Sequence, residues 1–154
     1  MSAGSDEAAD GVRLAGLIHD IGKIAVPAEI LSKPGRLSTV EFNLIKQHAR
    51  AGYEIIEAVE FSQPVADMVL QHHERLDGSG YPQGLTDAQI LPQAKILAVA
   101  DVAEAMSSHR PYRPALGMDV ALDELKAGAG VRYDPGVVAA CIKLVEEDGF
   151  RFTP

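Results

Sequence analysis

The sequence contains no tryptophan and a single cysteine, Cys141. One thiol excludes an intrachain disulfide and any cysteine-rich zinc site, and it points to a reducing compartment, so a cytoplasmic location is expected. With only four Tyr and four Phe, the interior has to rest on Leu, Ile, Val, Ala and Met. Basic residues are outnumbered, 14 Lys and Arg against 22 Asp and Glu, for a formal net charge of -8. That balance excludes a broad positive surface for long nucleic acid or anionic lipid. The longest uninterrupted apolar run, Val137 to Ile142, is far too short to span a bilayer. The acidic start has neither the basic region nor the apolar stretch of an export signal, so no membrane association is expected.

What is present suits one folded domain: 154 residues, 47% of them hydrophobic and 23% charged. No period of repeat length recurs and no low-complexity linker divides the chain. Residues 1–10 read as a polar, disordered leader, and 11–154 as the domain. Val12, Leu14, Leu17 and Ile18 fall at helical spacing. Ser38 followed by Glu41 forms a capping box, which opens a long helical element through Val59. Further helices are expected from Pro64 to about Glu74, from Pro92 to Ser107, near 117–127 and near 135–147. Between the first and second of these segments, glycines at 78, 80 and 84 with Pro82 predict a nonhelical loop. The segment ILAVAD could also be a buried strand, but the Ala and Glu that follow favour a helix. The expected fold is all-α, a compact helical bundle.

The motifs of several common chemistries are missing. No GxGxxG or GxxxxGKS/T glycine pattern occurs, and no GxSxG nucleophile elbow. The residues that ask for an explanation are instead histidines and carboxylates. His19 and Asp20 sit at the end of an apolar segment, where they are either a helix-end pair or ligands converging on a wide object such as two metal ions bridged by Asp20. His48 lies in an apolar-periodic helix as a packing residue or a ligand. His72 and His73 are adjacent imidazoles at another helix end. Asp101 interrupts the apolar AKILAVADVAEAM, where a buried carboxylate needs either an arginine or a cation. Imidazoles and carboxylates without thiolates suit Fe, Mn, Ni or Zn. Water between two such ions could lose a proton and attack a phosphorus, with no covalent protein nucleophile. In an acidic chain a phosphate needs local positive charge, for which Lys23, Arg110 and Arg113 are candidates. Tyr81 could stack on a base or pack its own glycine-rich loop.

In combination, HDIGKI at 19–24, HHERLDGSGYPQG at 72–84, and ADVAEA at 100–105 followed by HRPYR at 109–113 resemble the HD-GYP family. This is an α-helical branch of the HD-domain metal phosphohydrolases, which hydrolyses cyclic di-GMP to linear pGpG and, in some members, to GMP. The resemblance spans roughly 11 to 145. It implies two divalent transition metal ions, Fe or Mn in preference to Ni or Zn. It assigns His19, Asp20, His48, His72, His73 and Asp101 to the metals. Asp20, His48, His72 and His73 would serve one ion, and His19, Asp20 and Asp101 the other. Asp20 and Lys23 would carry the catalysis, while Lys23, Tyr81, Glu104, Arg110 and Arg113 would surround the cyclic dinucleotide. Asp77, Gly78, Gly80 and Pro82 would shape a loop that also serves a signalling-domain partner.

Two departures from the family pattern stand out. His109 occupies a position that is acidic in many relatives. The 18 residues before His19 contain no histidine, whereas the family supplies a further ligand from one or more upstream helices. The chain thus resembles an HD-GYP domain lacking its usual upstream helix or helices, and apolar surface exposed there could promote homo-oligomers. The expected activity is metal-dependent hydrolysis of cyclic di-GMP. The alternatives are a catalytically weak module that binds cyclic dinucleotides or proteins, and hydrolysis of another nucleotide.

Overall fold

Apolar residues at helical spacing need a shared interior. The computed structural model, which describes residues 3–108 and 116–152, turns each such stretch into an α-helix. In chain order these are α1 (Ala3–Ile18), α2 (Ala28–Leu31), α3 (Thr39–Lys46), α4 (His48–Ile56), α5 (Val65–Gln71), α6 (Pro92–Ser107), α7 (Met118–Gly128) and α8 (Pro135–Glu146). A 3-10 turn, Ile21–Ala25, links α1 to α2, and another, Asp87–Gln89, lies in the loop between α5 and α6. Among the described residues there is no strand, only isolated bridges between Asp77 and Thr86 and between Ala129 and Tyr133. The bundle is all-α, as expected, and ILAVAD lies within α6 as helix.

Local chemistry sets several helix starts. Ser38 and Glu41 form the capping box: the Ser38 amide donates to Glu41 Oε2 at 2.7 Å and the Glu41 amide to Ser38 Oγ at 3.3 Å. Asp134 caps α8 by accepting from the Val137 amide at 3.0 Å, with Pro135 just inside the helix.

Two expectations are corrected. The supposed disordered leader is helical from Ala3 onward. Its polar residues form a solvent face: Asp6, Glu7 and Asp10 are exposed, Ala8 and Ala9 are strong helix formers, and Gly11 is buried against Gln63. An acidic residue in the first turn also suits the helix dipole. The long element after Ser38 is two helices, broken at Gln47, whose amide bonds back to the Leu44 carbonyl at 3.2 Å.

The apolar interior falls into two clusters. One gathers Ala15, Ile56, Val65, Met68, Val69 and Leu97 from α1, α4, α5 and α6. The other gathers Val99, Ala103, Leu125, Tyr133 and Val138 around α6, α7 and α8. Helix α6 belongs to both. Asp101 follows Leu97 by one turn, so it faces the side of α6 that meets α1 and α5.

The 3-10 turn after α1 is pressed onto α4, with Gly22 at the contact. A Cβ at Gly22 would collide with the His48 carbonyl oxygen and the Gly52 amide nitrogen, both backbone atoms that cannot swing aside. Gly22→Ala is therefore expected to destabilise the fold by about 3 kcal/mol. Chemical denaturation of the variant beside the parent measures it, and an unchanged midpoint would contradict this packing.

Candidate metal centre

The six residues expected at the metals come from four separate places in the chain and meet at one. His19 and Asp20 follow the last turn of α1, His48 opens α4, His72 and His73 follow α5, and Asp101 lies in α6.

Three of the histidines are oriented by one device. Each ring presents Nδ1 to the carbonyl oxygen three residues earlier: His19 to Gly16 at 2.7 Å, His48 to Ile45 at 2.7 Å, and His72 to Val69 at 2.6 Å. A carbonyl oxygen only accepts, so Nδ1 carries the proton and donates. The carbonyls belong to the ends of α1, α3 and α5, where the backbone has run out of helical amides to bond. In the neutral ring Nε2 is then left with a free lone pair, and all three Nε2 atoms point into the cluster.

Around that point His48 Nε2 lies 3.3 Å from His72 Nε2 and 3.5 Å from Asp20 Oδ1. His19 Nε2 lies 3.6 Å from Asp20 Oδ2 and 3.4 Å from Asp101 Oδ1. His73 Nδ1 is 3.9 Å from Asp101 Oδ2. Ligand atoms of His48, His72 and His73 all lie within 4.8 Å of one another, and so do those of His19, Asp20 and His72. The two carboxylates each reach two histidines. Asp20 spans His19 and His48, and Asp101 spans His19 and His73, a second spanning position that the sequence pattern did not indicate.

Charge and burial divide the histidines. Burial pushes His72 down to about 4, with Asp101 opposing and the neighbouring His19 and His48 adding to the effect. Burial and the adjacent His72 take His73 down to about 2 against the pull of Asp101. His48 is also lowered, by burial, against its bond to Ile45 and the charge of Asp20. For His19 burial again acts downward, but the hydrogen bond to Asp101 and the charge of Asp20 prevail and raise it. Burial alone would raise Asp101. The bond to His19 and the nearby His73 and His72 instead hold it far below the usual carboxylate range.

This arrangement fits a divalent cation. His48 and His72 are 1% and 0% exposed, both are held neutral, and their Nε2 lone pairs face each other at 3.3 Å, out of reach of bulk solvent. Two such acceptors repel unless a shared positive charge lies between them. The donor set of imidazole nitrogens and carboxylate oxygens suits a transition metal, and the backbone bonds at Nδ1 are the outer support that metal-binding histidines require.

The residues expected around a substrate divide. Lys23 Nζ lies 2.6 Å from Asp20 Oδ2, so its ammonium balances the spanning carboxylate. Tyr81 stacks on His73, ring centres 4.7 Å apart at 27°, and its amide donates to the His73 carbonyl at 3.2 Å. Glu104 is half-buried on α6, one turn beyond Asp101. Arg110 and Arg113 lie outside the described residues, as does His109.

Two further residues had not been singled out. Glu74, only 2% exposed, accepts from the Gln83 amide at 2.7 Å and the Leu85 amide at 2.9 Å, so one buried carboxylate ties down the loop that carries Tyr81. Its sequence signal was a carboxylate directly before a glycine-rich stretch whose amides need acceptors. Lys46, in the last turn of α3, holds Nζ 5.3 Å from the centre of the Tyr81 ring and 4.9 Å from that of Phe42. Gly80 is required by close approach: a Cβ there would strike the His73 carbonyl and the Arg75 amide.

The HD domain family model matches residues 3–137. The chain is 45% identical over 141 residues to the cyclic di-GMP phosphodiesterase response regulator RpfG of Xanthomonas campestris pv. campestris (strain 8004), covering 90% of this chain and 37% of that protein. It is 42% identical over 140 residues to a cyclic di-GMP phosphodiesterase of Thermotoga maritima, covering 88% and 38%. It is 37% identical over 134 residues to the 3'3'-cGAMP-specific phosphodiesterase 3 of Vibrio cholerae serotype O1, covering 87% and 29%. Among solved structures, Bd1817, a HDG"Y"P protein from Bdellovibrio bacteriovorus, superposes with a TM-score of 0.70 at 20% identity over 88% of this chain and 43% of that one, a likeness of fold. The chain belongs to the HD domain family, in its HD-GYP branch. It spans under two-fifths of the length of these curated relatives.

Two outcomes follow for the metal-free protein and its loop. Between pH 6.5 and about 4 the unfolded chain takes up protons that folded His72 refuses, so stability falls as the pH falls. His72 alone contributes on the order of 3 kcal/mol to that loss, and His48 and His73 act in the same direction. His19 acts oppositely: its contribution is full below 6.5 and fades as the pH rises through its higher folded value. Asp101 contributes above its ordinary value near 3.8 and is lost only in stronger acid. Thermal melts of metal-stripped protein across this range measure the slope, and a flat profile from 6.5 to 4 would contradict a dry, neutral His72. Separately, Glu74→Gln presents an N–H to one of the two loop amides, and loss of about 1 to 3 kcal/mol is expected. Hydrogen exchange should localise the loosening to the Gln83 and Leu85 amides.

Proposed function

We propose that this chain carries the hydrolytic centre of a metal-dependent phosphodiesterase acting on cyclic di-GMP. The observation that carries the reading is the convergence of His19, Asp20, His48, His72, His73 and Asp101 in one largely buried cluster, with facing Nε2 lone pairs that call for a shared cation. The names of the relatives support the choice of substrate: two are cyclic di-GMP phosphodiesterases and one is specific for 3'3'-cGAMP.

On this reading the six residues hold two divalent ions, Fe or Mn in preference to Ni or Zn. Bound metal would supply an activated water and stabilise negative charge on the phosphate oxygens. The chain's own groups do the rest. Hydrolysis forms a bond from phosphorus to the incoming oxygen and breaks the bond to the ribose O3′, and the departing oxygen takes up a proton. Lys23, whose ammonium is held at 2.6 Å by Asp20, is suited to give that proton or to steady the phosphate. Tyr81, Glu104, Arg110 and Arg113 would orient the nucleotide, so that the scissile bond is presented in line. The first cut yields linear pGpG, and a second would yield GMP. A cytoplasmic location, a signalling-domain partner on the glycine-rich loop and self-association belong to the same proposal.

The test begins with protein prepared without oxygen, its metal content measured, and its turnover of cyclic di-GMP and 3'3'-cGAMP followed by product analysis. Two ions per chain and formation of pGpG are expected, and chelation should abolish both. Asp20→Ala removes the carboxylate that spans His19 and His48, so metal content should fall and turnover drop to background. A metal-loaded parent that binds a cyclic dinucleotide without cutting it would replace this reading with that of a binding module. A variant with the parent's metal content and rate would remove Asp20 from the mechanism.

A further inference from the structure

We infer that Lys46 binds the second phosphate of the cyclic dinucleotide, the one that is not being cut, an inference that rests on the function proposed above. A cyclic dinucleotide carries two phosphodiesters in one ring. While one is presented to the cluster of histidines and carboxylates, the other remains a full negative charge at the rim of a protein whose own formal net charge is -8. Beside Arg110 and Arg113, which the proposed function places on the nucleotide, that charge calls for a cation that is both near the cluster and available.

Most of the six lysines in the sequence are engaged. Lys23 is bonded to Asp20, Lys33 to Glu41, Lys95 to Asp87 and Lys126 to Glu146. Lys46 has no carboxylate partner among the described residues. Its ammonium lies over two aromatic rings, 4.9 Å from the centre of Phe42 and 5.3 Å from that of Tyr81. Tyr81 in turn stacks on His73 at 4.7 Å. The charge is thus one aromatic ring away from the histidine cluster and on the same side as the glycine-rich loop.

The local backbone explains why it is there. The ends of α3 and α4 meet at Gln47, and the His48 ring reaches back to the Ile45 carbonyl at 2.7 Å. That bond fixes the turn on which Lys46 sits, two residues before a candidate ligand, so the ammonium is carried in register with the cluster. An aromatic face attracts a cation without cancelling its charge, whereas a carboxylate partner neutralises it and takes up one or two of its three N–H groups. Lys46 is therefore held in place with its charge uncompensated, the state in which it can take a phosphate oxygen.

The test compares a substrate that carries a second phosphate with one that carries none. Cyclic di-GMP has two phosphodiesters, and bis(p-nitrophenyl) phosphate has one. In Lys46→Met the ratio of kcat/KM for cyclic di-GMP to that for bis(p-nitrophenyl) phosphate should fall at least about tenfold, chiefly through KM, as expected for loss of a charge-assisted hydrogen bond. Lys46→Arg, which keeps the charge, should recover most of the ratio. Metal content and melting temperature, measured on both variants, separate this from a defect of folding. An unchanged ratio in a parent that does turn over cyclic di-GMP would overturn the role of Lys46 and leave the proposed function standing. A metal-loaded parent that cuts bis(p-nitrophenyl) phosphate but neither cyclic di-GMP nor 3'3'-cGAMP would overturn the proposed function, and the role of Lys46 with it.

Discussion

The hydrogen bond from an imidazole Nδ1 to the carbonyl three residues before it is the interaction on which the centre depends. It recurs at His19, His48 and His72, at the ends of three different helices. In each case a carbonyl that the helix can no longer satisfy is used to choose a tautomer and aim a ring. Helix termination and imidazole orientation are thus one event. The cluster does not need long-range networks to fix its imidazoles, only helices that stop at the right residue and pack at the right distance.

That packing distance is set by glycine. Gly22 allows the turn after α1 to lie against the backbone of α4, which brings His19 and Asp20 to His48. Gly80 allows the loop to cross the His73 carbonyl, which lays Tyr81 on the His73 ring. Both glycines belong to the motifs that give the chain its resemblance, and neither is needed for an unusual backbone angle. Their function is proximity: a methyl group at either would push a histidine-bearing segment away from its neighbour.

Much of this was legible in the sequence, because helical periodicity, capping residues and histidine pairs are local signals. The capping box at Ser38, the start of α6 at Pro92 and the glycine-rich loop are all set by near neighbours. The first turns of α1 were misjudged because a solvated helix face and a disordered tail have the same composition, and only the burial of Gly11 against Gln63 tells them apart. The break at Gln47 was hidden because apolar spacing continues through it. Glu74 and Lys46 went unnoticed for a different reason. A glutamate that bonds amides nine and eleven residues ahead, and a lysine over a ring from another segment, depend on tertiary approach. The same holds for Asp101, whose spanning of His19 and His73 is a matter of how α6 is rotated in the bundle.

Helix α6 contributes to both apolar clusters and also carries Asp101. An ion gripping that carboxylate would therefore pull on the one helix common to the two halves of the interior, and on α1 and α5 through their histidines. It would act as a rivet as much as a reagent. Occupancy and rigidity would rise together, so that loss of the ion would also cost the folded chain part of its resistance to proteases.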